Sequence, residues 1–588
     1  MTSNQFVEHE LIKAGHTERK HWRGLFGYQE LSHFLALRGG FAVTVILLAF
    51  PVSAWSADAE SGAKHGFDFS VGEHGLDSLS FNGHSFLPSP KEGNLLLADL
   101  VFNKTGNATP PKVSEPVVTL DRSNQTLQLS YSWGRVSCAY SKIAGNQLRM
   151  HILVTNTTDL AIDALGVRLT QLVFPSAPQG GALEAGMFGF GFRGEMGPLS
   201  RSPYYIDSTF CVPIVRIDYG SGALNFCNDD FSCSLSVDFL HDPAQADYAF
   251  SARFKNIEPR TTKTYDVSFR FGPSGSNVQD LSADALKRYA EQFPFQVAWN
   301  DRRAIGAIYL ASSGINVPTN PRRWIVNQGK IDVSTDEGKQ AFRTALLKLA
   351  DASVDVLEDC HAQGMITWDP EGQEFRGACY YGDPRLTPTL APEMEFKGSS
   401  PSSTVDAYFQ RFRAAGLKVG VCIRPQQITM VNGTPIQQEA DDEHAAEVLK
   451  SKIEYARKRW GCTLFYIDST VGKTHLALSP DVFKAVADAY PDVLLIPENE
   501  SMRYFAYSAP LNSYQHHKIT ATPSGARLVY PHAFSVLLAS EGDRAEDHQA
   551  LVDSVRNGDI LVFNCWYPNQ GANKIKAIYD EAAAPRSH

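Results

Sequence analysis

From Ser276 onward this chain of 588 residues repeats one pattern, a short apolar run followed by an amphipathic stretch. The runs are AIGAIYLAS (304–312), GMITW before Asp369, KVGVCI before Arg424, TLFYI before Asp468, VLLIP before Glu498, PLNSY (510–514), RLVYPHAF (527–534) and ILVFN before Cys565. Helical patterns fall near 336–361, 404–415, 443–460, 481–490 and 544–556. A strand that is apolar throughout is buried on both faces, as in a parallel sheet covered by helices. Eight such units in roughly 290 residues predict a TIM-type (β/α)₈ barrel. No helical pattern separates the sixth run from the seventh. An open doubly wound sheet is the alternative, but no GxGxxG follows the first run. The chain's match to that motif, Gly189, Gly191 and Gly194, lies in a β-rich region and reads as a loop.

Between 66 and 275 the texture is different. FDFSV, LDSLSF, TLQLSYSW, LRMHILVTN, VRLTQLVF, FCVPIVRIDY and YDVSFRFG are short runs with partial alternation, separated by turn residues. That pattern predicts an antiparallel β-sandwich. Further upstream, FAVTVILLAF (41–50) precedes Pro51 and VSAWSADAE, which reads as the apolar region and cleavage site of a secretory signal. About ten apolar residues are short for a bilayer. The alternative is an uncleaved anchor that tethers the chain to a membrane. The expected organisation is therefore 1–57 signal peptide or anchor, 58–275 β-sandwich, 276–303 linker and 304–588 barrel, with the bulk exported to the periplasm, the cell surface or the medium.

Composition narrows the function. The apolar fraction is 43% and the charged fraction 20%, as in a globular chain. A net charge of −10 argues against a nucleic-acid partner, which selects for a basic patch. The nine cysteines contain no CxxC pair, although Cys211, Cys227 and Cys233 are close enough in sequence for one bridge. There is no HExxH, no phosphate-binding glycine loop and no GxSxG, and His516 and His517 are adjacent and so point apart on a strand. No metal or cofactor is expected.

In a barrel, chemistry collects where the strands end. The second run ends in Trp368, Asp369 and Glu371, the third in Arg424 and Gln426, the fourth in Asp468, the fifth in Glu498 and Glu500, and the eighth in Asn564, Trp566 and Tyr567. Asn320 and Trp324 follow the first. Any one of these is ordinary as a helix cap or a solvated loop charge. Their convergence on one rim is not, because like charges gathered there repel. Paired carboxylates in a cleft suit glycosidic bond cleavage, with one ionised and one carrying a proton. Arg424 beside Asp468 would keep Asp468 ionised as the nucleophile. Leu494, Ile496 and Glu498 share one side of their strand, which makes Glu498 the candidate acid. Glu500 has the same parity, and extended spacing does not separate the two. Trp368, Trp566 and Tyr567 would offer flat faces to sugar rings, and Asp369 and Glu371 would accept hydrogen bonds from hydroxyls.

The segment GLDSLSFNGHSFL, with SYSWGRVSCAY and LRMHILVTN, resembles the mutarotase-like sandwich that precedes the barrel in several glycoside hydrolase groups. WDPEG, GVCIRPQQ, FYIDS and IPENE resemble a group of exported bacterial glycoside-hydrolase-like proteins. A strand-four Asp paired with a strand-five Glu is similar to the endo-α-N-acetylgalactosaminidase families. That likeness implies Asp468 as nucleophile and Glu498 or Glu500 as acid/base. The α-galactosidase-like families place their acid, an Asp, on strand six, where PLNSYQHH offers none. The resemblance implies an oligo- or polysaccharide substrate, hydrolysis with retention and no cofactor. The rival is a non-catalytic glycan-binding protein on the same scaffold.

Overall fold

The computed structural model describes residues 66–585 except 89–94, 104–108, 144, 183–196, 199–203, 240–245, 313–317, 328–329, 373–380, 474–476, 513–521, 540–546 and 566–570. The segment expected to direct export, the Gly189–Gly194 motif, His516, His517, Trp566 and Tyr567 lie outside the described residues. No helix among the described residues is long and apolar enough to cross a membrane.

The strands between Phe67 and Gly272 are antiparallel and form sheets of three, nine and five strands. Alternation drives them. In Gln147–Asn156 the residues Leu148, Met150, Ile152 and Val154 are fully buried, while those between them are half-buried. A period of two gives the sheet one face for the core. The nine- and five-stranded sheets meet through aromatic rings. Phe226 and Phe269 of the first lie 5.2 and 5.4 Å from Phe250 of the second. Cys211, Cys227 and Cys233 are buried and no disulfide joins them, so the bridge for which the sequence left room does not form. Cys227 instead lies 3.4 Å from Ser282 Oγ, and burial pushes its thiol up to about 12.

A linker helix, Val278–Gln292, follows. Asn277 and Asp280 cap its start reciprocally. Arg270, on the last antiparallel strand, ties the helix down through Asp284 and Asp229, each 2.5 Å away.

The eight strands that follow are parallel and lie in one sheet. In chain order they are Ile305–Tyr309, Gly364–Trp368, Lys418–Ile423, Leu464–Ile467, Leu494–Pro497, Leu511–Asn512, Val536–Leu538 and Ile560–Asn564. Strand one lies between strands two and eight, as a closing sheet requires. Strands five and six share no ladder, but the Ala509 N–H donates to the Leu495 carbonyl across that seam at 2.9 Å. The sheet is thus a near-closed parallel barrel. Helices Asp336–Asp359, Thr404–Ala414, Ala445–Trp460 and Pro480–Ala489 follow strands one to four. After strands five and six the helices shrink to Tyr504–Tyr507 and Ser524–Val529. This corrects the expected seventh strand. RLV lies in the short helix, which starts after Pro523, and the strand forms from VLL further on.

Two apolar layers explain why the strands are apolar throughout. Ile305, Ala307, Ile366, Cys422, Leu464, Leu494, Ile496, Val536, Ile560 and Val562 point inward and pack as one cluster. The alternate residues Ile308, Met365, Val421, Phe465, Leu495 and Phe563 pack outward, beneath the helices. The antiparallel part buttresses the loop after strand five. There the Arg503 backbone N–H donates to Phe210 O and its side chain to Thr209 O, at 3.3 and 3.2 Å.

Strand three approaches strand four so closely that a Cβ on Gly420 would stand 2.2 Å from the Leu464 carbonyl oxygen. Gly420→Ala should therefore destabilise the fold by about 1–3 kcal/mol through overpacking. Thermal unfolding checks this, and an unchanged midpoint would mean that the strands part without cost.

Candidate active site at the strand ends

The inward rows continue beyond the apolar layers. By alternation from that layer, Tyr309, Trp368, Arg424, Asp468, Glu498 and Asn564 take the next inward positions at the ends of strands one, two, three, four, five and eight. The residues at this level of the rim are polar or aromatic.

Arg424 and Asp468 form its centre. Arg424 Nε and Nη2 both lie 2.6 Å from Asp468 Oδ2, and the two side chains are 11% and 10% exposed. Among the described residues Asp468 Oδ1 accepts no hydrogen bond. Ser469 then takes a left-handed φ of 53°. For a residue with a side chain this costs about 1–2 kcal/mol. The turn aims the Ser469 N–H at Glu498, whose Oε2 accepts it at 2.8 Å. The Ser469 carbonyl accepts Gln426 Nε2 at 3.0 Å. Gln426 and Glu498 thus grip the residue after Asp468 from its two sides.

A stack of rings underlies these groups. Tyr309 lies on Trp368 with centroids 4.8 Å apart, and Trp368 lies 5.2 Å from Tyr466. Burial pushes the Tyr466 phenol up, and the nearby Glu498 and Asp468 charges add to the shift. Trp368 is 5% exposed between its two neighbours, while Tyr309 is half-buried.

The remaining candidates separate. Asp369 is buried and takes a φ of 63°, and Asn564 is half-buried. Glu500 is buried in the loop after strand five, next to Asn499, which bonds Thr470 Oγ1 at 2.9 Å. Glu498 accepts the N–H of the turn after Asp468. Glu371 leaves the cluster. It is fully buried, accepts the Asp383 N–H at 3.1 Å, and burial pushes its carboxyl up to about 7. The Asn320 side chain donates to the Trp324 carbonyl and accepts the Trp324 N–H, which builds their own loop, and the Trp324 indole donates to Glu393.

Sequence reasoning missed the group beneath the rim. Lys452, on helix Ala445–Trp460, is fully buried and donates to the carbonyls of Gly382, Arg424 and Gln426 at 3.1, 2.8 and 2.9 Å. Asp383 lies 3.7 Å from it and is forked by Arg385 at 2.8 and 2.6 Å. The signal was present. Ala445, Leu449, Ala456 and Trp460 form the buried stripe of that helix, and Lys452 stands in it. A hairpin, Ile428–Val431 with Thr434–Gln437, was also missed after strand three, although its Asn432-Gly433 turn is a hairpin signature. A cleft in the same region is lined by Asp383, Arg385, His444, Glu447 and Ser451.

No family model matches the chain, and no curated protein matches it. Among solved structures it is similar to the GH36 α-galactosidase AgaB from Geobacillus stearothermophilus, with 11% identity, 88% of this chain and 76% of that one covered, and a TM-score of 0.44. The α-galactosidase AgaA of the same organism, in complex with raffinose, gives 11% identity, 88% and 77% coverage and a TM-score of 0.45. Ligand-free α-N-acetylgalactosaminidase NagBb from Bifidobacterium bifidum gives 11%, 88%, 92% and 0.45.

The Glu371 carboxyl supports a pH prediction. Its folded value of about 7 lies above its ordinary value of 4.5, so the folded state binds more protons between them and loses stability as pH rises through that window. Glu371→Gln removes this dependence while keeping an acceptor for the Asp383 N–H. The variant should gain stability over the parent, by roughly 3 kcal/mol, as pH climbs from 4 to 8. Denaturant unfolding across that range checks it, and a constant difference would contradict the assignment.

Proposed function

We propose that the chain is a glycoside hydrolase that cleaves an O-glycosidic bond in an extracellular or periplasmic glycan with retention of configuration. One observation carries the reading. Asp468 and Glu498 directly follow the adjacent strands Leu464–Ile467 and Leu494–Pro497, and Glu498 accepts the N–H of the residue after Asp468. In this reading residues 304–588 are a (β/α)₈ barrel, 58–275 a supporting sandwich, and 1–57 an export signal or membrane anchor.

Asp468 is the nucleophile. Arg424 occupies Oδ2, so Oδ1 attacks the anomeric carbon. The bond to the leaving oxygen breaks as Glu498 gives that oxygen its proton. Glu498 then takes a proton from water, the water oxygen bonds the anomeric carbon, and Asp468 departs. Retention requires the two carboxyl groups to work at a separation of about 5–5.5 Å. Glu500 is the reserve acid/base. Tyr309, Trp368, Asp369, Gln426, Asn564, Trp566 and Tyr567 shape the sugar site. Glu371, fully buried against Asp383, supports the loop rather than the sugar.

A second reading is binding without turnover. It is favoured by the close ion pair, in which Asp468 serves Arg424 and is 7% exposed. A panel of α- and β-aryl glycosides and natural glycans separates the two. The hydrolase reading expects one linkage to be cleaved, with Asp468→Asn lowering kcat by about 10³-fold or more. Glu498→Gln should slow unactivated glycosides far more than nitrophenyl glycosides, and Glu500→Gln should change little. Glycan binding without turnover, unchanged in Asp468→Asn, would leave the binding reading standing. Product of inverted configuration would remove Asp468 as nucleophile.

A further inference from the structure

We propose that Lys452 is a positioning residue for this site: its ammonium clamps the rim segments after strands two and three together and so holds Arg424 on Asp468. The proposal rests on the hydrolase reading for its consequence in catalysis, but the clamp is a separate physical claim.

The geometry is complete at the nitrogen. An ammonium has three donors, and three carbonyls take them. One carbonyl, that of Gly382, belongs to the segment after strand two, and two, those of Arg424 and Gln426, to the segment after strand three. The Gly382 carbonyl also accepts the Arg424 N–H at 2.9 Å. Both backbone groups of Arg424 are therefore fixed by the same knot. Gly382 has a φ of 60°, and a Cβ there would meet Arg424 Cγ at 2.6 Å, so the two segments are pressed together. From Arg424 and Gln426 the chain of contacts runs to Asp468 and to the Ser469 carbonyl, and from the Ser469 N–H to Glu498.

A fully buried lysine is costly to keep, and an apolar residue would continue the helix stripe without that cost. Its retention in the stripe is accounted for by the three carbonyls, which no apolar side chain satisfies. Asp383, Glu371, Arg385 and Arg424 are the charged groups that face it. Burial pulls the ammonium down to about 8, with the Asp383 carboxylate acting the other way. The neutral amine has two donors and turns a lone pair toward a carbonyl oxygen, so the clamp loosens as pH rises through about 8.

Hydrogen exchange with mass spectrometry on the full chain tests the clamp without any substrate. Lys452→Met at pH 7 should speed exchange about tenfold or more in peptides covering 382–386, 424–427 and 468–469, while the other barrel strands keep their protection. On whichever nitrophenyl glycoside the parent cleaves, the variant should lose kcat by about tenfold or more with KM changed less than threefold. If the parent cleaves none, the hydrolase reading fails and exchange still decides the clamp. If Lys452→Met does not fold, the parent is compared at pH 7 and 9.5 after correction for intrinsic exchange, and the same peptides should lose protection. Unchanged protection in those peptides overturns the proposal.

Discussion

A guanidinium and a carboxylate held together at about one-tenth exposure set the terms for the rest of the rim. Taking two charges out of water costs several kcal/mol each, and their attraction repays this only with good geometry and further hydrogen bonds. Here Nε and Nη2 of Arg424 meet one oxygen of Asp468 at 2.6 Å, and the Arg424 backbone is fixed through Gly382 and Lys452. Breaking such a pair from one side leaves a buried charge uncompensated. The pair therefore needs a rigid frame, and the frame is built from three separate rim segments rather than from one loop.

The barrel packing supplies the direction. Parallel strands covered on both faces bury alternate residues in two layers, so the residue after the last inward apolar one reaches the mouth. Cys422 leads to Arg424, Tyr466 to Asp468, and Ile496 to Glu498. The same alternation that closes the core thus aims two carboxylates and a cation at one place. The left-handed turn at Ser469 adds the last adjustment, bringing a backbone N–H to Glu498. Strain at such a position persists only where the surroundings hold it, and it gathers at functional sites.

Much of this was legible in the chain. Runs such as TLFYI and VLLIP identified parallel strands because their apolar character has no polar face to interrupt it, and a parity of two placed Glu498 with Leu494 and Ile496. The parts that were misread depend on contacts distant in sequence. RLVYPHAF has the composition of a strand, but it supplies a short helix and a turn, and Phe534 packs into the inner cluster. Glu371 follows a strand as Asp468 does, yet it bonds Asp383, twelve residues on. Lys452 sits on a helix whose surface charges are numerous, so a single lysine in the apolar stripe was easily counted among them.

The central claim is that Asp468 attacks the sugar. Mechanism-based labelling tests it most directly. The protein is incubated with 5-fluoro-glycosyl fluorides of both anomeric series, digested, and mapped by mass spectrometry. The account predicts a glycosyl ester on Asp468, formed by the parent and absent from Asp468→Asn. A stable adduct on any other carboxylate, with Asp468 unmodified, would contradict it.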